Sequence, residues 1–410
     1  MNGEVLGLNI LIVSQYCRPE VAAGANRVYE NAKEWIMQGH HVTVLTGFPN
    51  YPSGVVPENY KGLFWQREIL EQISIIRVPI IAVANKGIVK RSISYSWFFL
   101  SLVFFGWLLL KKKPDVIIAT SPQILVGMAG LILGPLFRCP VVLEIRDLWP
   151  ESFGAVGLFS SRGVIVRIFE KIEKIMYYLA DHIVVVTQSF VDDIERKGIS
   201  RINITFIPNG VNTDFFTPKH ANGFSEQRTV LYAGNFGMAQ KLSTILEAAK
   251  LLENQTLFKF LLVGDGAEKQ ELVERANYLR LSNVVFMGLQ SREEIVKIIA
   301  SADVCIVPLR KSEAFLKVIP SKIFDYMAME KPILLGVDGE CRQIVEESGG
   351  GIFFEPENSQ DLSKKLLELF ENKQNLSECG RQARIYVKQK FSRSNLAKQY
   401  LTLLEDLAVV

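Results

Sequence analysis

No CxxC pair occurs among the five cysteines of this 410-residue chain, and their odd number does not suit a closed disulfide framework. A reduced, cytoplasmic setting is the simple expectation. The first apolar run is not followed by GxGxxG, the turn with which a nicotinamide-binding domain approaches its pyrophosphate. No DxD triplet offers paired carboxylates to a divalent ion, so neither a metal nor another cofactor is expected. The net charge of +3 is too small to imply nucleic-acid binding. There is no long low-complexity tract to suggest disorder. The N-terminus carries neither a basic n-region nor a small-residue cleavage site, and reads as a first strand rather than a secretory signal.

What is present is an alternation of strands and helices. Residues 8–14 form a continuous apolar run, as in a strand buried on both faces. Val28, Ala32, Trp35 and Ile36 then stand at helical spacing before Gly39, and residues 42–45 restart a strand. This β-loop-α-β opening predicts a doubly wound sheet, continued by strands at 115–119, 141–145 and 182–187. Turn-rich sequence follows from Ile207, and after the polar stretch 218–228 the alternation resumes with strands at 230–232, 259–263, 284–286 and 304–307. The expected fold class is therefore α/β with two Rossmann-like domains, 1–205 and 206–392. A last helix near 394–407 has no strand after it.

Residues 95–110 are apolar on every face of a helix. Lys86, Lys90, Arg91, Lys111, Lys112 and Lys113 place six positive charges and no acid in 86–113, so the rest of the chain is net negative. A core helix, a helix lying in one leaflet and a true span all remain open. Sixteen residues reach about 24 Å, short of the ~30 Å hydrocarbon core. Basic residues flank both ends, and the strands on either side should share one sheet. The expectation is a helix lying in the inner face of the cytoplasmic membrane, with an anionic lipid surface as partner through 95–113.

Four places carry tools for holding an anion. Gly24 lies among small residues that open the first helix, where backbone N–H groups can approach a negative group. Glu144, Arg146, Asp147, Trp149 and Glu151 cluster just past a strand end, where open α/β sheets bind ligands; an Arg146–Glu144 or Arg146–Asp147 structural pair is the alternative. Gly234, Asn235 and Gly237 join a strand to a helix expected to carry Lys241, and Gly264 and Gly266 repeat the pattern one strand later. Finally, Pro320 and Ser321 start a helix whose first turn holds Lys322, a cation that the helix dipole disfavours unless an anion is bound. Asp325 lies three residues on, able to share the ligand and to accept from ribose hydroxyls.

With these residues in hand, the chain resembles the family 4 glycosyltransferases, the retaining GT-B group. Within it the likeness is to the bacterial WbuB-like subgroup of L-fucosamine transferases of O-antigen and capsule assembly. The resemblance covers nearly the whole chain. Its markers, in order, are ILIVSQYCRPEVAAGANR, GHHVTVLTGFPNYPSG, ATSPQILVG, EIRDLWPES, IPNGVNTDFF, YAGNFG, LLVGDG and PSKIFDYMAMEKPIL. It implies two Rossmann-like domains facing across a cleft, the first binding acceptor, the second binding the nucleotide sugar, and a C-terminal helix, 393–410, packing back on the first.

The departures from the family pattern are specific. The usual phosphate-binding Arg is Asn235, and Lys241 stands near the usual Lys. The E-x7-E motif reads Lys317-x7-Asp325, with Glu313 a substitute for the missing acid. Glu330 replaces a usual Gly, and Arg146 replaces a catalytic His. The resemblance implies retaining, metal-independent, front-face transfer of a sugar, such as an N-acetylated deoxyhexosamine (L-FucNAc), from UDP to a lipid-linked saccharide. Lys322 and Lys241 would stabilise the leaving diphosphate. Asp325 would hold the ribose, the turns at Gly264–Gly266 and Gly288 the base, and Arg146 and Asp147 the acceptor or donor sugar. A sugar-nucleotide 2-epimerase and an inactive membrane-associated scaffold are the rival readings.

Overall fold

Strands that are apolar on both sides can only be satisfied between two helical layers, and the computed structural model arranges them so. It describes residues 7–20, 22–51, 54–83, 88–148, 164–218, 227–255, 257–371 and 373–409. The chain divides into two units, the first comprising residues 1–154, 159–209 and 393–410, the second 155–158 and 210–392.

The first unit contains β1 (Asn9–Val13), α1 (Ala23–Met37), β2 (His41–Gly47), β3 (Gln66–Leu70), β4 (Ile73–Val78) and α2 (Ile88–Leu109). There follow β5 (Val116–Thr120), α3 (Ile124–Phe137), β6 (Val141–Ile145), α4 (Val164–Leu179), β7 (His182–Val185), α5 (Gln188–Arg196) and β8 (Ile204–Phe206). The sheet order is β3-β4-β2-β1-β5-β6-β7-β8, parallel except for the β3–β4 hairpin. Alternation along β1 feeds two cores. Leu11 and Val13 pack with α2, α3, α4 and α5, and Ile10 and Ile12 pack with α1 and the C-terminal helix Arg393–Ala408. That helix is fixed to α1 by Trp35 Nε1 donating to Ala397 O at 2.8 Å and by the Trp35–Tyr400 edge contact.

Three strands of this sheet escape the sequence pattern. The β3–β4 turn has Glu71 and Gln72 at φ 47° and 69°, without the Gly or Asn that usually marks such a turn. Strand β8 is three residues long, and its pairing with β7 carries the first unit to Asn209 instead of ending it at 205.

The second unit contains β9 (Arg228–Ala233), α6 (Ser243–Leu251), β10 (Phe258–Val263), α7 (Lys269–Tyr278), β11 (Val284–Met287), α8 (Arg292–Ser301) and β12 (Val304–Pro308). It continues with α9 (Lys322–Ala328), β13 (Ile333–Gly336), α10 (Glu340–Glu347), β14 (Gly351–Phe353), α11 (Ser359–Glu371) and α12 (Lys373–Lys390). The helix Arg393–Ala408 is α13. The six parallel strands lie in the order β11-β10-β9-β12-β13-β14, with Leu231 and Ala233 in one core and Val230 and Tyr232 in the other.

The apolar helix differs from its expected form. α2 has 22 residues, about 33 Å, rather than sixteen. Phe98, Leu102 and Phe105 are buried in the first unit's core. Ile93, Trp97, Leu100, Phe104, Trp107 and Leu108 lie on the opposite side and are exposed. The choice between a core helix and a surface helix therefore does not arise: one face is core and the other is an exposed apolar stripe.

A buried ion pair ties the first unit together. Arg27, 1% exposed, donates to Glu144 at the end of β6 at 2.9 Å and to the carbonyls of Pro208 and Ile207 at 2.7 and 3.0 Å. Removing one partner strands the other charge. Glu144→Ala should destabilise the first unit by about 3–5 kcal/mol in denaturant unfolding. The double variant Arg27→Met with Glu144→Leu should recover much of that loss. A Glu144→Ala effect below about 1 kcal/mol would show that the two carbonyls alone sustain the guanidinium.

Candidate functional site

Each sheet has one point where the chain stops building outward in one direction and restarts in the other. In the second unit that point lies between β9 and β12. Loops diverge there, and the carboxyl ends of the strands leave a crevice in which doubly wound sheets place ligands.

Gly234 and Gly264 end β9 and β10 at φ 151° and 145°. A Cβ on Gly264 would lie 1.9 Å from Gly234 O, and one on Gly234 would lie 2.5 Å from Lys322 Nζ. These glycines are thus required by close packing of two turns and one lysine. Phe236 N donates to Asp265 O at 2.8 Å and Glu268 N to Phe236 O at 2.9 Å, which locks the turns into one layer. Gly266 and Gly237 are equally tight, against Phe236 O at 2.4 Å and Asn235 Nδ2 at 2.6 Å. Gly288, past β11, faces open space, and Asn235 is exposed.

Lys322 is the first residue of α9. Its ammonium sits 3.9 Å from the centroid of the Tyr232 ring. The ring is held by its hydroxyl donating to Asn235 O at 2.6 Å. Burial pushes the Lys322 ammonium down to about 7, with Asp325 acting in the opposite sense. No hydrogen bond or ion pair to a described residue engages the Lys322 ammonium. A cation at the positive end of a helix, desolvated and supported among the described residues by a ring face and one nearby acid, is a group that an incoming anion would stabilise. Asp325 lies on the same helix, partly buried, and Ser321 precedes it without capping it through its hydroxyl.

The other expected residues are placed differently. Lys241 is not on a helix: it is a left-handed residue, φ 47°, between the 3-10 turn Met238–Gln240 and α6. Its Nζ is 4.0 Å from Glu357 Oε2. Glu313 is exposed on the 3-10 turn Glu313–Lys317. Glu330 adopts φ 56° just after α9, where Lys331 N closes back on Tyr326 O at 3.0 Å. This is the helix C-terminal position that favours Gly. Here its carboxylate is 3.7 Å from Arg384.

In the first unit the switch point lies between β1 and β5. Arg146, past β6, lays its guanidinium against the start of α1. A Cβ on Gly24 would lie 2.1 Å from Arg146 Nη1, so Gly24 makes room for this arginine. Glu144 bonds Arg27, so the alternative of an Arg146–Glu144 structural pair is not formed. The Arg146 backbone N–H donates to Ser121 Oγ at 2.7 Å, while its Nε is buried without a partner. Gln123 after β5 and Thr187 after β7 are likewise buried, with the amide of one and the hydroxyl of the other unpartnered. Unsatisfied polar atoms at three neighbouring strand ends point to a polar ligand. The sequence reading missed Gln123 and Thr187; their signal was a polar residue two or three positions past the end of an apolar strand. Asp147 is exposed, and Trp149 and Glu151 lie outside the described residues.

Known proteins match both units. The family described as Glycosyl transferases group 1 matches residues 215–386, and the Glycosyl transferase 4-like domain matches residues 23–210. A protein of Escherichia coli (strain K12) named as colanic acid biosynthesis glycosyl transferase WcaI is 26% identical over 96% of this chain and 99% of its own length. The N,N'-diacetylbacillosaminyl-diphospho-undecaprenol alpha-1,3-N-acetylgalactosaminyltransferase of Campylobacter jejuni is 22% identical over 58% of this chain and 64% of its own. Among solved structures, sucrose-phosphate synthase from Thermosynechococcus elongatus has a TM-score of 0.76 at 18% identity, covering 98% of this chain and 99% of that one. Anabaena HepE in complex with UDP and glucose has a TM-score of 0.70 at 16% identity, covering 98% and 100%. With two parallel α/β units and a family match on each, the chain belongs to the family 4 glycosyltransferases of GT-B fold and is a transferase enzyme.

Proposed function

We propose that this transferase moves a sugar from a UDP-sugar to a lipid-linked saccharide at the inner face of the cytoplasmic membrane, in the assembly of a bacterial surface polysaccharide such as O-antigen or capsule. An N-acetylated deoxyhexosamine such as L-FucNAc is the proposed donor sugar. The observation that carries the reading is Lys322, a desolvated cation set between Gly234 and the Tyr232 ring at the switch point. The second unit would bind the nucleotide sugar. Its diphosphate would meet Lys322 and the backbone N–H groups of Asn235 and Gly237, those of Gly234 and Phe236 being committed to Val263 O and Asp265 O, with Lys241 contributing if it leaves Glu357. Asp325 would accept from the ribose hydroxyls.

As the glycosidic bond to the diphosphate breaks, charge grows on the leaving oxygen and the sugar becomes oxocarbenium-like. The acceptor hydroxyl attacks from the same face and passes its proton to a leaving phosphate oxygen, so configuration is retained and no enzymic nucleophile is needed. Lysines and backbone donors neutralise the diphosphate without a divalent ion. Arg146, Gln123 and Thr187, with unpartnered polar atoms in the first unit, would receive hydroxyls of the acceptor.

Three further observations support the substrate classes. The relative from Escherichia coli is named for colanic acid biosynthesis, the one from Campylobacter jejuni for a diphospho-undecaprenol acceptor, and HepE was solved with UDP. The exposed stripe on α2, followed by Lys111, Lys112 and Lys113, suits an anionic interface where a lipid-linked acceptor resides.

Three outcomes are expected. Nucleotide binding should draw a proton onto Lys322. At pH 8 the free lysine is mostly neutral, because its value is about 7, and an adjacent diphosphate restores the charge. Calorimetry of UDP binding in buffers of different ionisation enthalpy should show uptake approaching one proton, absent in Lys322→Met. Equal uptake in both proteins would remove Lys322 from the diphosphate site.

The same lowered value makes the free protein's stability rise with pH between about 7 and 10.5. In that window the unfolded lysine is protonated and the folded one is not. The slope is at most about 1.4 kcal/mol per pH unit. Lys322→Met should flatten this window in urea unfolding of the free protein, while turnover falls on the order of 10²–10³.

Trp97, Leu100, Phe104 and Trp107, all on the exposed face, should release the protein from anionic vesicles when changed together to Ser. Phe98 and Phe105 are core residues and cannot serve in that test. Wild-type protein that fails to sediment with such vesicles would end the membrane assignment.

A further inference from the structure

We propose that a cavity at the amino edge of the first sheet binds the phosphate of an anionic phospholipid headgroup, an inference that rests on the membrane reading above. The cavity has a volume of about 490 Å³ and lies where β1, β2 and β4 begin, at the opposite end of the strands from Arg146 and Gln123. Its volume falls within the roughly 300–1,000 Å³ of small-ligand pockets. Arg67, Lys111, Lys112, His40 and His41 contribute to its wall, and none of the described residues lining it is acidic. Ser74 adds a hydroxyl.

The neighbouring acids are already engaged, two of them by residues of the cavity wall. Asp115 accepts from Asn9 N at 2.7 Å and Asn9 Nδ2 at 3.1 Å. Glu405 lies 3.6 Å from His40 Nε2, and Glu71 bonds Lys33 at 3.0 Å. Two features oppose an anion, Glu405 beside His40 and the negative end of α2. Arg67 answers the second by donating from Nη2 to Leu109 O, which leaves Lys111 and Lys112 uncommitted to the helix end. Their side chains are exposed, as is that of His41.

The same chemistry would hold any phosphate. A lipid source is favoured by position. Leu110, Lys111 and Lys112 line the cavity and follow Trp107 and Leu108 of the exposed stripe after one residue, Leu109. With that stripe seated at the acyl–headgroup boundary, the adjoining Lys111 and Lys112 of the cavity wall fall near headgroup level. A phosphate held there would fix the rotation of the protein on the membrane, which a purely apolar stripe leaves free.

The test uses the full chain and two sets of phosphatidylcholine vesicles, one doped with phosphatidylglycerol and one with oleate to the same surface charge. Wild-type protein should sediment with the phosphatidylglycerol vesicles on the order of tenfold more tightly, the scale of charge-assisted hydrogen bonds. Arg67→Gln should abolish that preference while changing oleate-vesicle binding by no more than about twofold. His41→Glu puts a carboxylate on the rim without touching the Arg67–Leu109 contact, and should do the same in a protein of wild-type stability. A preference unchanged in both variants, or no preference in a wild type that binds both vesicle sets, overturns the headgroup site and leaves the membrane reading standing. Failure of wild type to bind either set overturns both. A third arm titrates inorganic phosphate: if it abolishes the wild-type preference at millimolar concentration, the cavity is a soluble-phosphate site and the lipid assignment falls.

Discussion

A parallel sheet covered by helices on both faces has nowhere to present polar chemistry except at its strand ends. That constraint organises both units of this transferase. Leu11 and Val13 face one helical layer and Ile10 and Ile12 the other, so the first sheet's faces are consumed by packing. The second sheet is closed in the same way around β9. What remains is the edge, and in each unit the candidate site residues gather where the strand order reverses. Arg27 reinforces this in the first unit, because a guanidinium buried beside Glu144 fixes the end of β6 and therefore the stem on which Arg146 stands.

The second unit is built so that a lysine is held ready without being satisfied. Gly234 leaves the space, Tyr232 offers its ring face, and burial weakens the charge. Each effect alone is modest. Together they make the free state poorer for the cation than a state with an anion beside it, the asymmetry on which the proposed diphosphate role rests.

Helix α2 has two apolar faces in different settings. Its buried face contributes Phe98, Leu102 and Phe105 to the core, and a half-turn away the residues are as apolar but exposed. An all-apolar helix at a surface is costly in water. Its basic flanks and the cationic cavity beside its end are the features on which the proposed membrane contact rests.

The sequence by itself determined the α/β alternation, the two-unit organisation and the family. Runs such as residues 8–14, and the ordered motifs from VAAGANR to PSKIFDY, are local signals that survive without contacts. It also singled out Lys322, because a lysine in a first helical turn is a local anomaly. Only the tertiary structure decided partners. Glu144 chooses Arg27, which lies 117 positions away, over its near neighbour Arg146. Gly24 is required by Arg146, and Gly264 by the backbone of Gly234. The β3–β4 hairpin, turning through Glu71 and Gln72, and the half-core, half-exposed nature of α2 were likewise invisible. The reason is the same in each case: periodicity reports which faces are apolar, whereas the identity of what packs there is set by residues far along the chain.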